Sequence, residues 1–387
     1  MKFNIFNIDK LEYANFAKEE EFEEMDIVKG KNKEGICFGE TNRKIEIKAN
    51  NPNSVLLMAE AGTGSVSTFI TPNLLKISNS SIVLDFEREI YDKTSEHRKK
   101  HLNNEILLFE PFSDDNTLFF NPFDNSIIEN MNLEELSDFA FKIAKAIFDG
   151  NEIGIEKDLF VLFILHNCKN IFLSNLSKIS LNFEQFLDFL EKIKNNNSDV
   201  VLIKHISKIQ KKIKDEKEYV KNIQAYNSVM KIFDNSKIAN FTSKMNFRFE
   251  DFVEKKVTAY LSIPYETKNI ELFAPVVARV FIETLYIKLR QKSNSDFIYL
   301  YFNQFLTFGK NLTLLERLET APSKIVPILI TNKLYEKIQT HYSEIIDFIE
   351  NRVKYFVVYD HRENDKVYIF VNNFLNKPIK VYKNPKS

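Results

Sequence analysis

Three short apolar runs, SVLLMA at 54–59, SSIVLDF at 80–86 and EILLFEPF at 105–112, are bounded by Asn, Ser or Pro and separated by helix-compatible stretches. Each reads as a buried strand. Strands that alternate with helices predict a parallel sheet with crossover helices. The same texture resumes late in the chain, in VTAYLSI (257–263), FIYLYF (297–302), IVPILI (325–330), VKYFVVY (353–359) and KVYIFV (366–371).

Between about 129 and 245 the strand pattern gives way to a 3.6-residue period. In NLEELSDFAFKIAKAIFDG, Asn132 can cap, Glu135 follows three residues on, Leu136, Phe139, Ile143 and Ile147 form one stripe, and Gly150 can end the helix. The grammar recurs where Asn182 and Gln185 precede Phe186, Phe189, Leu190 and Ile193. Residues 1–50 mix charges with short apolar pieces, and Gly35 and Gly39 bracket an expected short strand. The expected division is an N-terminal segment (1–50), an α/β nucleotide-fold domain (51–128 and 246–387) and an all-helical insertion (129–245), with no internal repeat or low-complexity linker.

A length of 387 residues suffices for two domains with cores of their own. The net charge of -1 leaves no global basic field to hold nucleic acid, only room for a local basic face. Cys37 and Cys168 are far apart and lack metal-ligand spacing, which suits a reducing compartment. The longest apolar run, LFVLFIL at 159–165, falls short of the roughly 18 residues of a membrane span. The amino terminus, MKFNIFNIDKLEY, has acidic and polar residues too early for a signal peptide, so a cytoplasmic location is expected.

Candidate chemistry begins in SVLLMAEAGTGSVSTFITPNLL, residues 54–75. It has the outline of the phosphate-binding loop GxxxxGK[ST], a strand, a glycine turn and a helix start. Ala59 takes the place of the first glycine, Gly62, Thr63 and Gly64 form the turn, Ser65 takes the place of the lysine, and Val66 that of the Ser/Thr. Sliding the register does not help, because Val66 precedes Ser67 and Thr68, and the nearest downstream lysine is Lys76.

Five blocks in order resemble the type IV secretion coupling proteins, the TraG-like conjugative DNA transfer family. They are AGTGSVSTFITPNLL, SSIVLDFEREIYDKTSEHRKK, the Glu-Pro-Phe and Asn-Pro-Phe-Asp of FEPFSDDNTLFFNPFD, and FIYLYFNQFLTFGKNLTLLERLE in the place of the family's Walker B strand. The resemblance covers roughly 35–128 and 250–375, with a family-like helical domain between. It implies a P-loop NTPase (RecA-like) nucleotide-fold domain with an inserted all-α domain. The family's usual pair of membrane helices is not evident in this sequence.

The resemblance also makes the departures legible. The family's Walker B Asp-Glu reads Asn303-Gln304 here, and Pro322 sits at or near its arginine position. Asn carries no charge for a hard dication, and Gln is a very poor base. A pseudo-ATPase is therefore expected, with no catalytic or metal residues, no required cofactor, and weak ATP and magnesium binding left open through backbone N–H groups of Gly62, Thr63 and Gly64. The opposing reading is that the glycine turn is only a turn.

As implied by the resemblance, the expected partners are secretion or conjugation machinery proteins, or an active ATPase paralogue. Oligomer formation and peripheral placement at the inner membrane through partners stay open. Two alternatives stand beside this reading: slow hydrolysis with a cation such as Lys310 or Arg317 from a neighbouring subunit, and a non-catalytic DNA-binding module. Three further clusters have bland readings. His97 and His101 are expected on a solvated face. KHISKIQKKIKDEKEYVKN (204–222) is expected to be an exposed amphipathic helix, although a basic one. Asp85 is expected to end a strand, with Glu87 and Glu89 in water.

Overall fold

The computed structural model describes residues 15–30, 35–51, 53–115, 118–149, 155–167, 171–196, 199–264, 270–289, 297–308, 325–332, 346–360 and 365–385. Twelve described strands form one sheet: β1 (Ile27–Lys29), β2 (Cys37–Glu40), β3 (Glu46–Ala49), β4 (Val55–Met58), β5 (Ser81–Phe86), β6 (Glu105–Phe109), β7 (Val257–Ile263), β8 (Ile298–Phe302), β9 (Ile325–Thr331), β10 (Tyr355–Tyr359), β11 (Lys366–Val371) and β12 (Ile379–Tyr382). Their order is β1-β3-β2-β12-β11-β10-β4-β9-β8-β5-β7-β6. From β10 to β6 every neighbouring pair is parallel. From β10 to β1 every pair is antiparallel.

All eight apolar runs of the sequence become strands, seven in the parallel part and one as β11. Parallel strands are covered on both faces, so they need apolar residues at every position rather than at alternate ones. Every residue of β4, β5, β7, β8, β9 and β10 is buried. Successive side chains still point to opposite faces. Leu56, Met58, Ile82 and Leu84 join one core, and Val55, Leu57 and Val83 join the other.

Between Phe109 and Val257 every described element is helical. The α-helices among all the described residues are α1 (Thr71–Leu74), α2 (Glu89–His101), α3 (Asn125–Ile128), α4 (Leu133–Ile147), α5 (Glu156–Asn167), α6 (Phe183–Asn196), α7 (Val200–Lys212), α8 (Glu216–Met230), α9 (Ser236–Phe241), α10 (Asp251–Glu254), α11 (Ile270–Leu289) and α12 (Ile346–Arg352). The expected caps are in place. Asn132 Oδ1 accepts the N–H groups of Glu134 and Glu135, and Glu135 returns a carboxylate to the Asn132 N–H at 2.9 Å. Asn182 and Gln185 exchange the same pair of bonds at 2.9 and 3.0 Å. Leu136, Phe139, Ile143 and Ile147 are buried as one stripe. LFVLFIL forms the middle of α5, and no helix among the described residues is long and apolar enough to cross a membrane. Gly150 and Cys168 lie outside the described residues.

The helical block and the sheet share one apolar core. Phe109, at the end of β6, makes edge contacts with Phe241, Phe247 and Phe281, at centroid distances of 6.4, 4.9 and 5.2 Å. These rings come from the sheet, from the far end of the helical block and the segment just after it, and from α11, so a single aromatic knot joins them.

Two expectations need correction. The strand near Gly35 and Gly39 is not bracketed by them: β2 starts at Cys37 and runs through Gly39. A Cβ on Gly39 would lie 2.2 Å from the Tyr382 carbonyl oxygen, so glycine is required for β12 to approach. The HRKKH end of α2 is not wholly a solvated face. Arg98 is fully buried, and its guanidinium donates to the carbonyls of Leu74, Ile77 and Asn79 and to the hydroxyls of Thr258 and Ser81. His97 Nε2 lies 3.1 Å from the Leu75 carbonyl oxygen, which makes it the donor, and its ring is 4.7 Å from that of His101. Arg98 and His97 thus satisfy carbonyls at and just beyond the end of α1.

Candidate functional site

In open parallel sheets ligands bind beyond the carboxyl ends of the strands. Ala59 continues β4 there, its N–H bonded to the Thr331 carbonyl at 2.9 Å. Gly62 and Gly64 have φ of +82° and +87°, a left-handed backbone that a side chain resists. Thr63 turns inward: its N–H and hydroxyl both donate to the Glu60 carbonyl, at 3.1 and 2.6 Å. This corrects the expectation that Thr63 offers its N–H outward.

Ser65 opens the following helix with no side-chain cap bond. The helix begins as a π-turn over Val66–Ile70, in which the Thr71 N–H reaches back to Val66, and continues into α1. Such turns are rare and leave a carbonyl out of the α-helical ladder. Ser67 and Thr68 both return their hydroxyls to the Gly64 carbonyl, at 3.3 and 2.8 Å. The Thr68 hydroxyl also meets the Tyr359 hydroxyl at 3.0 Å, and burial pushes that phenol above its usual range.

Asn303 and Gln304 follow β8, which β9 separates from β4. Phe302 is level with Leu329, and Leu329 with Leu56, so Asn303 and Gln304 stand level with the end of β4. The lateral distance is two strand spacings, about 10 Å. Asn303 is buried, and Gln304 has φ of +54°. Asp85, on the next strand, is buried at the end of β5 and accepts the N–H groups of Ile90 and Tyr91 at 3.0 and 2.7 Å. Burial pushes its carboxyl up to about 6 against the pull of those two bonds. Asp85 therefore starts α2, while Glu87 and Glu89 are exposed as expected.

As a donor set for magnesium and a triphosphate, these side chains do not fit. The loop offers a serine and a valine where a cation and a magnesium-binding hydroxyl are needed, and β8 offers two amides where charge and a base are needed. Lys310, Arg317 and Pro322 lie outside the described residues.

The family model described as "Type IV secretory system Conjugative DNA transfer" matches residues 4–299. The chain belongs to this family. Over 78 residues the chain is 32% identical to a conjugal transfer protein TraG of Escherichia coli, a stretch that makes up 20% of the chain and 12% of that relative. The match thus spans only about an eighth of that protein's length. Among solved structures, the plasmid coupling protein TrwB in complex with the non-hydrolysable ATP analogue ADPNP gives a TM-score of 0.69 at 9% identity, covering 97% of this chain and 94% of that one. TrwBdeltaN70 in complex with sulphate gives 0.65 at 10% identity, covering 97% and 94%. At such identities the likeness establishes the fold alone: a mixed α/β sheet with helices and an inserted all-helical block.

Two further groupings are not visible from local spacing. Lys383, beyond β12, donates from Nζ to the Thr63 carbonyl at 2.6 Å, and Asn384 donates to the Thr68 carbonyl at 2.9 Å. In the helical block, Ser137 Oγ lies 2.9 Å from His205 Nε2, and His205 Nδ1 lies 2.8 Å from Asp158 Oδ1, which also accepts from Lys208 at 3.2 Å. These roles mimic a hydrolase triad. Ser137, however, is an interior residue of α4, where backbone N–H groups are spent on the helix and cannot form an oxyanion hole. What the network does is tie α4, α5 and α7 together.

Burial raises the Asp158 carboxyl, but the His205 hydrogen bond and Lys208 more than offset this and hold it below the usual range. A carboxyl depressed in the folded state contributes stability above its unfolded value, near 4, and loses it as pH falls through the folded one. His205→Ala is expected to cost about 3 kcal/mol in urea unfolding, because it leaves a buried acid short of a partner. It should also shrink the loss of stability seen on acidification below about pH 4. An unchanged midpoint and acid profile would contradict the role assigned to this network.

The basic stretch resolves into α7 and α8. Ile206 and Ile209 are buried, and Lys204, Lys208, Lys211 and Lys212 are exposed. The helix is amphipathic as expected, with its apolar face in the core.

Proposed function

We propose that this member of the conjugative DNA transfer family is a catalytically degenerate, coupling-protein-like component that acts by interaction, docking on a secretion or conjugation machine or recruiting its substrate. The observation that carries the reading is the side-chain set Ser65, Val66, Asn303 and Gln304 at the carboxyl edge of the sheet. Electrostatic stabilisers of charged transition states typically contribute about 10²- to 10³-fold each. Losing several together takes turnover towards background even when their effects are not additive. The sheet and its loop keep their shape, which serves a partner that reads shape rather than chemistry.

In this reading the helical block, residues 129–245, is an inserted module that presents the contact surface, and any ATP and magnesium binding is weak. Titrating native-cell extract with the tagged chain, followed by crosslinking and mass spectrometry, tests the docking role. Stoichiometric recovery of a coupling ATPase or other transfer-machine subunit, crosslinked through 129–245, is the expected outcome. Recovery of metabolic enzymes alone would contradict it.

A further inference from the structure

The segment just past β12 holds the glycine turn at Thr63 and the start of the following helix at Thr68. Lys383 places its ammonium on the Thr63 carbonyl at 2.6 Å and lies over the Tyr359 ring, 4.7 Å from its centroid. Its own N–H is anchored on the Asp365 carbonyl at 2.8 Å. The adjacent Asn384 is buried; it donates to the Thr68 carbonyl at 2.9 Å and accepts from Cys37 Sγ at 3.3 Å. Tyr359 closes the ring of contacts through the Thr68 hydroxyl.

We propose that residues 382–384 form an internal strap that sets the shape of the loop 59–68 without any nucleotide. A lysine at position 65 would meet a phosphate on the N–H side of the loop. Lys383 meets a carbonyl instead, so its charge is directed at the loop itself. An ammonium on a carbonyl is a charge-assisted hydrogen bond, about twice as strong as a neutral one. The π-turn contributes as well, because Asn384 takes a carbonyl from within that distorted stretch. The strap gives the non-catalytic reading a mechanism and rests on it only for its biological meaning. Its physical content is that loop order depends on the β-extension and not on a bound phosphate.

Hydrogen exchange of the full chain, followed peptide by peptide with and without millimolar Mg-ATP, tests this. The wild-type loop should exchange slowly in both conditions. Lys383→Met should speed exchange about tenfold in peptides covering 59–68, leaving β5 and β7 unchanged. Asn384→Ala should act in the same direction, Lys383→Arg should restore protection, and Lys380→Met, an exposed lysine on the same strand, should do nothing. Wild-type exchange rates in the loop of Lys383→Met, or a rise spread evenly over the sheet, would overturn the strap. Protection of the wild-type loop by Mg-ATP would overturn the strap's independence from phosphate and count against the non-catalytic reading as well, whereas the variant results bear on the strap alone.

Discussion

Arg98→Ala is expected to lower stability by about 5 kcal/mol, enough to leave much of the chain unfolded at room temperature. The guanidinium is fully buried and satisfies the carbonyls of Leu74, Ile77 and Asn79. Alanine would leave those carbonyls without this donor and open a cavity, and each orphaned buried group costs about 1–3 kcal/mol. Arg98→Lys should recover only part of the loss, because an ammonium cannot reproduce the planar fork that serves several acceptors at once. Urea unfolding followed by far-UV circular dichroism reads the effect. A shift of less than about 1 kcal/mol would mean that water replaces the arginine at little cost.

The second large effect is a gain. Ser65→Lys, Val66→Thr, Asn303→Asp and Gln304→Glu together should raise affinity for Mg-ATP by at least about a hundredfold. The loop turn, the helix start and the two-strand spacing to β8 are present, so what the variant adds is charge and one hydroxyl. Asn303 is buried, so an aspartate there needs the metal to offset its desolvation. Asn303→Asp alone should therefore lower the melting temperature, with magnesium and nucleotide restoring it only when lysine is also present at 65. If the fourfold variant binds no better than the parent, then loop shape, and not missing side chains, excludes the triphosphate.

The apolar runs were legible because a strand covered on both faces must be apolar throughout. β1, β3 and β12 were not read. They are three or four residues long and carry charges: Lys48 and Glu46, for example, sit buried on β3 and neutralise each other at 2.8 Å. The candidate loop was legible from the order of an apolar run, the Gly62-Thr63-Gly64 turn and a helix start. Lys383 was not, because it reaches Thr63 across 320 residues of sequence and only the sheet order brings them together. Arg98 looked like a surface residue because its neighbours Lys99 and Lys100 are. Its burial follows from helix geometry, which turns one position in HRKKH onto the sheet while Lys99, Lys100 and His101 stay exposed. Ser137, Asp158 and His205 lie on three helices, and nothing in their local spacing links them.

The central claim, a retained fold without the charges needed to hold and cleave a nucleotide, is tested most directly by titrating the wild-type chain with Mg-ATP in a calorimeter while following phosphate release. The predicted result is a dissociation constant of about a millimolar or weaker, with phosphate release no faster than in protein-free buffer. Micromolar binding with steady turnover would contradict it.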